Sequence, residues 1–317
     1  MDGFFNVHKP LGPTSHDVVQ RIRKVTKEKH VGHGGTLDPL ATGVLPLGVG
    51  QGTRLLEFVA GPKVYRAEIE FGTITDTYDS GGKILEQHDA SSLRQEQVEA
   101  ACAKYVGQFQ QMPPLYSAVK HQGKRLYQYA RKGIEVERTP RLVTIFRLDF
   151  LSWDPPVALV DVECSRGTYT RSLAYDLGQA LGCGAYLKSL VRLQDGGFHL
   201  NDSVLLEDLE RAAEDGTWEE YLYPLDFPIR HWPTVTLRPP RDLEALSGQM
   251  LTLLPGDIGE VALPALVEGE THAARLLARA HALDGTLLAL LEYLPERGSW
   301  HPFKVFHRGA TARIMEA

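Results

Sequence analysis

Residues 32–45 read GHGGTLDPLATGVL. One carboxylate, Asp38, stands among Gly, Thr, Pro and small apolar residues. This composition argues against a regular helix or strand. Gly34 and Gly35 open backbone angles closed to other residues, Pro39 removes a donor, and a residue before proline is biased away from helical angles. An acid held in a stiff, close-fitting loop is suited to present its oxygens to a ligand. Asp-Pro pairs also close ordinary turns and cap helices, so the loop by itself leaves both roles open.

The flanking sequence frames that loop. Residues 3–8 read as a strand ending at Lys9-Pro10, and Gly12-Pro13 makes a turn. Thr14 or Ser15 can cap a helix to about Lys27, with Val18, Val19, Ile22 and Val25 on one face. On the other side, Thr53 is expected to cap a short helix that turns Leu55, Leu56, Phe58 and Val59 inward. Residues 63–73, KVYRAEIEFGT, alternate strictly, with Tyr65, Ala67, Ile69 and Phe71 on one face of a half-buried strand. Asp79-Ser80-Gly81-Gly82 reads as a hairpin turn, and Ser92 with Gln95 has capping-box spacing for a helix to about Val106. Strands follow near 141–153 and 157–164. A helix over 168–181 stops at Gly182, a strand covers 186–193, and an acidic helix covers 203–215. Past Pro228 the chain turns to prolines and short apolar runs, the texture of a small β-rich tail.

The chain has 317 residues, 43% of them hydrophobic and 23% charged, which is ordinary for a globular protein. No apolar run approaches the roughly 20 residues that span a bilayer. The start, MDGFFNVHKP, lacks the pattern of a signal peptide, so a cytoplasmic protein is expected. Cys102, Cys164 and Cys183 lie far apart without CxxC spacing, against a disulfide framework or a zinc site. The net charge is -6, yet its distribution is uneven. Residues 120–147 carry eight Lys/Arg against two Glu, and residues 201–230 carry nine acids against two Arg. A basic segment inside an acidic protein fits a phosphate-binding face set against a solvating one. Solvated helix and loop faces account for such charges equally well.

Taken together, the motifs resemble the TruB family of pseudouridine synthases, which act on transfer RNA. The opening Lys9-Pro10-Leu11-Gly12-Pro13-Thr14-Ser15 and the Asp38 loop match its first two motifs. Tyr65 of KVYRAEIEFGTITDTYD falls on its active-site tyrosine. PPLYSAVKHQGKRLYQYARKGIEVERTPR is similar to a segment that helps hold the T-arm of tRNA. In CSRGTYTRSLAYDLG, Arg171 falls on the arginine beside the nucleophile, and in CGAYLKSLVRL, Leu190 falls on an apolar residue at the target base. His8 and Gly34 depart from the family's usual residues. The tail resembles a PUA RNA-binding domain only loosely, in DGTLLALLEY and HPFKVF.

The resemblance implies an α+β fold: a mixed, largely antiparallel sheet flanked by helices, the Asp38 loop in a central cleft, and a small β-barrel-like tail. It implies a catalytic domain over 1–230, with the basic and aromatic segment 110–140 on RNA, and a PUA-like domain over 235–317. The activity implied is conversion of a T-loop uridine, conventional position 55, to pseudouridine, with possible help to tRNA folding. That isomerisation needs no redox change, so neither cofactor nor metal is expected, and a monomer without obligate partner is the simplest form. Asp38 would be the nucleophile. Attack at C1', attack on the base and a glycal route all remain open. Arg171 would hold the carboxylate, since a guanidinium is always charged and grips with two donors. Tyr65 would be a platform for the flipped base and a proton-transfer candidate. His33 would fill the space the base leaves, Tyr169 would border the pocket and Leu190 would seal it. Lys9, Arg54 and Lys124 are candidates for phosphate contacts. Two competing readings share these motifs: the catalytic protein of a guide-RNA particle, and an RNA-binding or RNA-folding module whose catalysis is secondary or lost.

Overall fold

The structure is a computed structural model. It describes residues 1–117, 129, 134, 136–253 and 276–307, together with the backbone of 120–121 and 124–125. In chain order the first elements are β1 (Gly3–Lys9), α1 (Ser15–Thr26), β2 (Val31–His33), β3 (Ala41–Val49), a 3-10 helix (Gly50–Phe58), β4 (Lys63–Phe71), β5 (Thr73–Thr75), β6 (Ile84–Gln87), α2 (Gln95–Ala103) and β7 (Gly107–Gln111). There follow β8 (Lys120–His121), β9 (Lys124–Arg125), β10 (Arg141–Asp154), β11 (Val157–Cys164), α3 (Thr170–Ala180), β12 (Ala185–Asp195), β13 (Phe198–His199), β14 (Val204–Leu205) and α4 (Leu206–Asp215).

Ten of these strands form one mixed sheet in the order β14-β1-β3-β12-β4-β11-β10-β7, with β2 added to β3 and β13 to β12. Only the β1–β14 and β3–β12 pairings are parallel, so the sheet is largely antiparallel, as expected. β4 lies in the middle. Its alternation is the expected one: Tyr65, Ala67, Ile69 and Phe71 are all buried. Its other face is closed by cross-strand pairs, which stabilise a sheet as i,i+4 pairs do a helix. Arg66 grips Asp161 of β11 with two bonds of 2.8 Å, and Glu68 accepts from Ser189 of β12 at 2.7 Å.

α1 begins where the sequence placed it. Thr14 is its N-cap, in a capping box with Asp17, and Val18, Val19 and Ile22 pack onto Phe5, Val7, Leu45 and Leu47 of the sheet. Burying each such side chain is worth about 1.5–3 kcal/mol. The other caps differ. Thr53 sits inside its 3-10 helix, its hydroxyl donating back to Gly50 O at 2.8 Å, and the helix starts at Gly50 with φ +58°. Ser92 lies in a turn closed by Leu93 N–H to Ala90 O, so α2 starts later, with the Gln97 side chain accepting from Arg94 N–H at 2.9 Å. The 32–45 stretch is also less irregular than its composition suggests. Antiparallel pairing of Val31–His33 with Leu47–Val49 draws both flanks into the sheet, and residues 34–40 alone form the loop.

A second, smaller sheet follows: β15 (Thr234–Leu237), α5 (Arg241–Leu246), β16 (Leu277–Ala282), β17 (Leu287–Leu294) and β18 (Ser299–Val305). The order is β15-β16-β17-β18, with a bridge from Leu251 to Trp300. The described residues thus form a four-stranded sheet rather than a closed barrel; residues 254–275 and 308–317 lie outside the description. This sheet is fastened to the first. Leu287, Leu290 and Phe306 share one core with Phe4, Val44, Leu55, Val59, Phe198 and Ile229. No described helix is long and apolar enough to cross a membrane.

Candidate active site

Every side of the Asp38 loop is held by a hydrogen bond from another element. Gly34 N–H donates to Pro46 O at 2.9 Å, and Gly12 N–H to Pro39 O at 2.9 Å. The buried Ser15 hydroxyl donates to Leu37 O at 2.9 Å and accepts from Leu37 N–H at 2.8 Å. One short side chain therefore satisfies both backbone groups of the residue before Asp38. Lys9 has no exposed surface; its ammonium donates to Ala41 O and Pro10 O at 2.7 and 2.9 Å. Expected at a phosphate, it instead braces the end of the loop, and burial brings it down to about 8.

Arg192 braces the loop from beneath. It is fully buried and donates through Nε to Val44 O at 2.6 Å and through Nη2 to Gly35 O at 3.2 Å. Its third nitrogen faces Asp195 at 3.3 Å. Asp195 also holds the buried Lys63. A Cβ at position 35 would lie 2.9 Å from Lys63 Nζ and 3.4 Å from Arg192 Nη1, so glycine there admits this buried pair of cations against the loop.

At the front of the loop, Asp38 Oδ2 meets Arg171 Nη2 at 2.9 Å. The Arg171 side chain is 6% exposed and that of Asp38 38%, so the carboxylate is partly open to solvent with its buried guanidinium behind it. Arg171 comes from the first turn of α3 and donates also to Tyr116 O at 2.9 Å and Thr77 O at 3.3 Å. A second carboxylate, Asp79, approaches its Nη1 at 3.5 Å. Asp79 is itself fixed, accepting from Thr77 Oγ1 at 2.6 Å and Gly81 N–H at 3.0 Å. The sequence reading treated Asp79 only as a turn residue; nothing local marks its second contact. Burial pushes the Asp38 carboxyl above its ordinary value, Arg171 pulls it back, and Asp79 adds to the rise.

Tyr65 and Leu190 lie in the same apolar cluster as Leu37. Leu190 on β12 stands opposite Ala41 of β3 and Ala67 of β4, directly beside the end of the loop. Burial pushes the Tyr65 hydroxyl up to about 12, and Arg192, donating to it, works against that rise. Tyr169 ends the approach to α3. Its backbone is tied to the Gln111 side chain by bonds of 2.8 and 3.1 Å, and its hydroxyl is within electrostatic reach of Arg171 and Asp38, raised chiefly by burial. The structure thus brings Arg171 and Tyr169 to Asp38 and packs Tyr65 and Leu190 in one apolar cluster with Leu37, the residue before it. His33 is the last residue of β2, one before the loop begins. Arg54 is farther off, exposed on the 3-10 helix, with Nη1 on Val305 O at 2.7 Å and its guanidinium 5.0 Å from the Phe306 ring. The Lys124 side chain lies outside the described residues.

The sheet has counterparts among solved structures. The chain superposes with a TM-score of 0.67, at 22% identity, on a chain of the H/ACA ribonucleoprotein bound to a substrate RNA containing 2'-deoxyuridine, covering 96% of this chain and 85% of that one. That likeness gives the pseudouridine synthase fold. Family models described as TruB family pseudouridylate synthase (N terminal domain) and tRNA pseudouridylate synthase B C-terminal domain match residues 23–170 and 171–230. The chain is 44% identical over 310 residues to tRNA pseudouridine synthase B of Dehalococcoides mccartyi strain BAV1, covering 97% of each. It is likewise 44% identical over 312 residues to the protein of the same name from Moorella thermoacetica, covering 96% of this chain and 98% of that one. The chain therefore belongs to the TruB family of pseudouridylate synthases, a family of isomerases.

Proposed function

We propose that this protein isomerises one uridine in the T-loop of tRNA, conventional position 55, to pseudouridine, with Asp38 as the nucleophile. The observation that carries the proposal is a partly exposed carboxylate backed at 2.9 Å by a buried guanidinium, in a chain whose relatives are named for tRNA pseudouridine synthesis. The reaction breaks the bond from ribose C1' to uracil N1 and makes one from C1' to C5, with the C5 proton released and N1 regaining one. An ionised carboxylate supplies the electron pair for attack at C1' or on the base, or removes the 2'-proton on a glycal route. Arg171 opposes the rise that burial imposes on the carboxyl and holds it aimed at no reorganisation cost during the reaction.

The uridine must leave the stack to reach Asp38, at a cost of a few kcal/mol. Stacking on Tyr65 would return about 1–3 kcal/mol, and His33, at the end of β2, would fill the space left in the RNA. Tyr169 borders the base and Leu190 covers it. Residues 1–230 are the catalytic unit in this account, with segment 110–140 against the T-arm, and residues 235–317 form a PUA-like RNA-binding unit. Elbow-shaped RNA would be gripped mainly through phosphates and shape. The protein would act alone, in the cytoplasm.

The position is tested by incubating unmodified tRNA with the protein, labelling pseudouridine with carbodiimide and mapping reverse-transcriptase stops. One new stop, at the T-loop uridine, is the expected result. Stops elsewhere, or none with a tRNA that binds, contradict the proposed target.

A further inference from the structure

A cleft of about 510 Å³ is lined by Gly32 and His33, immediately before the Asp38 loop. Its walls are α1, the turn after it, β2 and the 3-10 helix. Five basic side chains line it, His16, Arg23, Lys29, His30 and His33, and no carboxylate does. The nearby acid, Glu28, is engaged by the backbone N–H of His30 at 2.9 Å and its Nδ1 at 3.3 Å. Arg23 donates through Nη2 to Val31 O at 3.1 Å, while its Nε is buried without a partner among the described residues. Lys29 is exposed and has no carboxylate partner among them. Cations gather at helix C-termini because of the helix dipole, which accounts for Arg23 and Lys24 in the last turn of α1. It does not account for Lys29, beyond the helix, or for three imidazoles on the same walls.

We infer that this cleft is a phosphate-binding subsite for the backbone of the RNA substrate, next to the nucleotide held at Asp38; the inference rests on the RNA-modifying function proposed above. His33 belongs to both places. It lines the cleft, and the loop that carries Asp38 begins at the next residue. RNA whose uridine reaches Asp38 would continue past His33 along the cleft walls that carry Arg23 and Lys29. Lysine and arginine supply charge, and imidazole N–H groups supply donors, in the combination that commonly contacts phosphate oxygens and sets the register of a nucleic acid. Such contacts are independent of base identity and fall off steeply with salt.

The test is binding of unmodified tRNA to the full-length protein between about 50 and about 200 mM KCl, a range over which phosphate contacts change most visibly. Lys29→Gln, Arg23→Gln and the double variant are compared with wild type and with Lys104→Gln, which removes an exposed charge outside the cleft. Each cleft substitution is expected to raise Kd about three- to tenfold and to reduce the slope of log Kd against log salt by about 0.7–0.9. Lys104→Gln should change neither. Circular dichroism checks folding, and if the partly buried Arg23 tolerates no substitution, the exposed Lys29 decides alone. A wild-type protein that binds and modifies tRNA, beside a Lys29→Gln variant with unaltered Kd and slope, overturns the cleft and leaves the function standing. A wild type that neither binds nor modifies tRNA overturns both.

Discussion

Asp38 pairs with the buried Arg171 at 2.9 Å while itself partly buried. The carboxyl is raised by burial more than the guanidinium lowers it. A raised acid binds its proton more tightly folded than unfolded, so its contribution to stability is fully present at low pH and is lost as pH rises through the folded value. Asp38→Asn removes that titration. As pH rises above the ordinary carboxylate value of about 4, the Tm of the variant should therefore gain on wild type until the folded Asp38 is ionised, and the two should run parallel above that point. A variant that falls progressively behind as pH rises would show that the ion pair, not burial, dominates. Arg171 stays paired in that variant because Asp79 also faces it, which keeps an unpaired buried cation from confusing the comparison.

At the scale of the element, the loop 34–40 is rigid because each of its neighbours supplies a bond to it. Ser15→Ala leaves Leu37 N–H and O without the hydroxyl that meets both. Leaving buried backbone groups unsatisfied costs about 1–3 kcal/mol, so urea unfolding should show a loss in that range, together with slower catalysis at saturating tRNA. Unchanged stability and rate would mean that the loop is held sufficiently by its other bonds. The strands and the start of α1 were legible in the sequence because their signals are local: period-two alternation in 63–71, and a hydroxyl at Thr14 or Ser15 ahead of the apolar face Val18, Val19 and Ile22; the choice of Thr14, with Asp17 closing its capping box, needed the structure. Thr53 and Ser92 misled because a hydroxyl beside a helix can serve a turn or bond back to a carbonyl as readily as cap. The pairing of Asp38 with Arg171 was legible only through the family motifs. Arg192, Asp195 and Lys63 were not legible as a group, since β4 and β12 bring them together across more than 120 positions and each looks like an ordinary strand charge. The basic cleft was hidden for a related reason: its residues are scattered over 16–33, and charge counting favoured the denser run at 120–147.

The molecule as a whole is tied together at the 3-10 helix. Its inner side packs Leu55 into the core shared with the small sheet. Its outer side meets that sheet through Arg54 on Val305 O and Phe306, Glu57 on Lys304 at 2.8 Å, and Phe58 against Trp232 and Phe303. The same helix is anchored toward the Asp38 loop by Arg166, which donates to Glu57 O and Val59 O and also to Gly34 O at 3.3 Å. The two sheets should accordingly unfold together. Phe306 is buried at the joint, and Phe306→Ala should cost about 3–5 kcal/mol in a single urea transition. Two separate transitions, or a loss below about 1 kcal/mol, would mean that the small sheet is only loosely attached.

The chemistry itself is tested most directly by tritium release. tRNA tritiated at uridine C5 is mixed in excess of Kd with wild type, Asp38→Asn and Arg171→Lys under single-turnover conditions. Each variant is first checked for tRNA binding. Wild type should release one tritium per tRNA, Asp38→Asn none above background, and Arg171→Lys should react about a hundredfold more slowly, the scale of losing one well-placed donor at developing charge. Release by Asp38→Asn at the wild-type rate would contradict the assignment of Asp38 as the nucleophile.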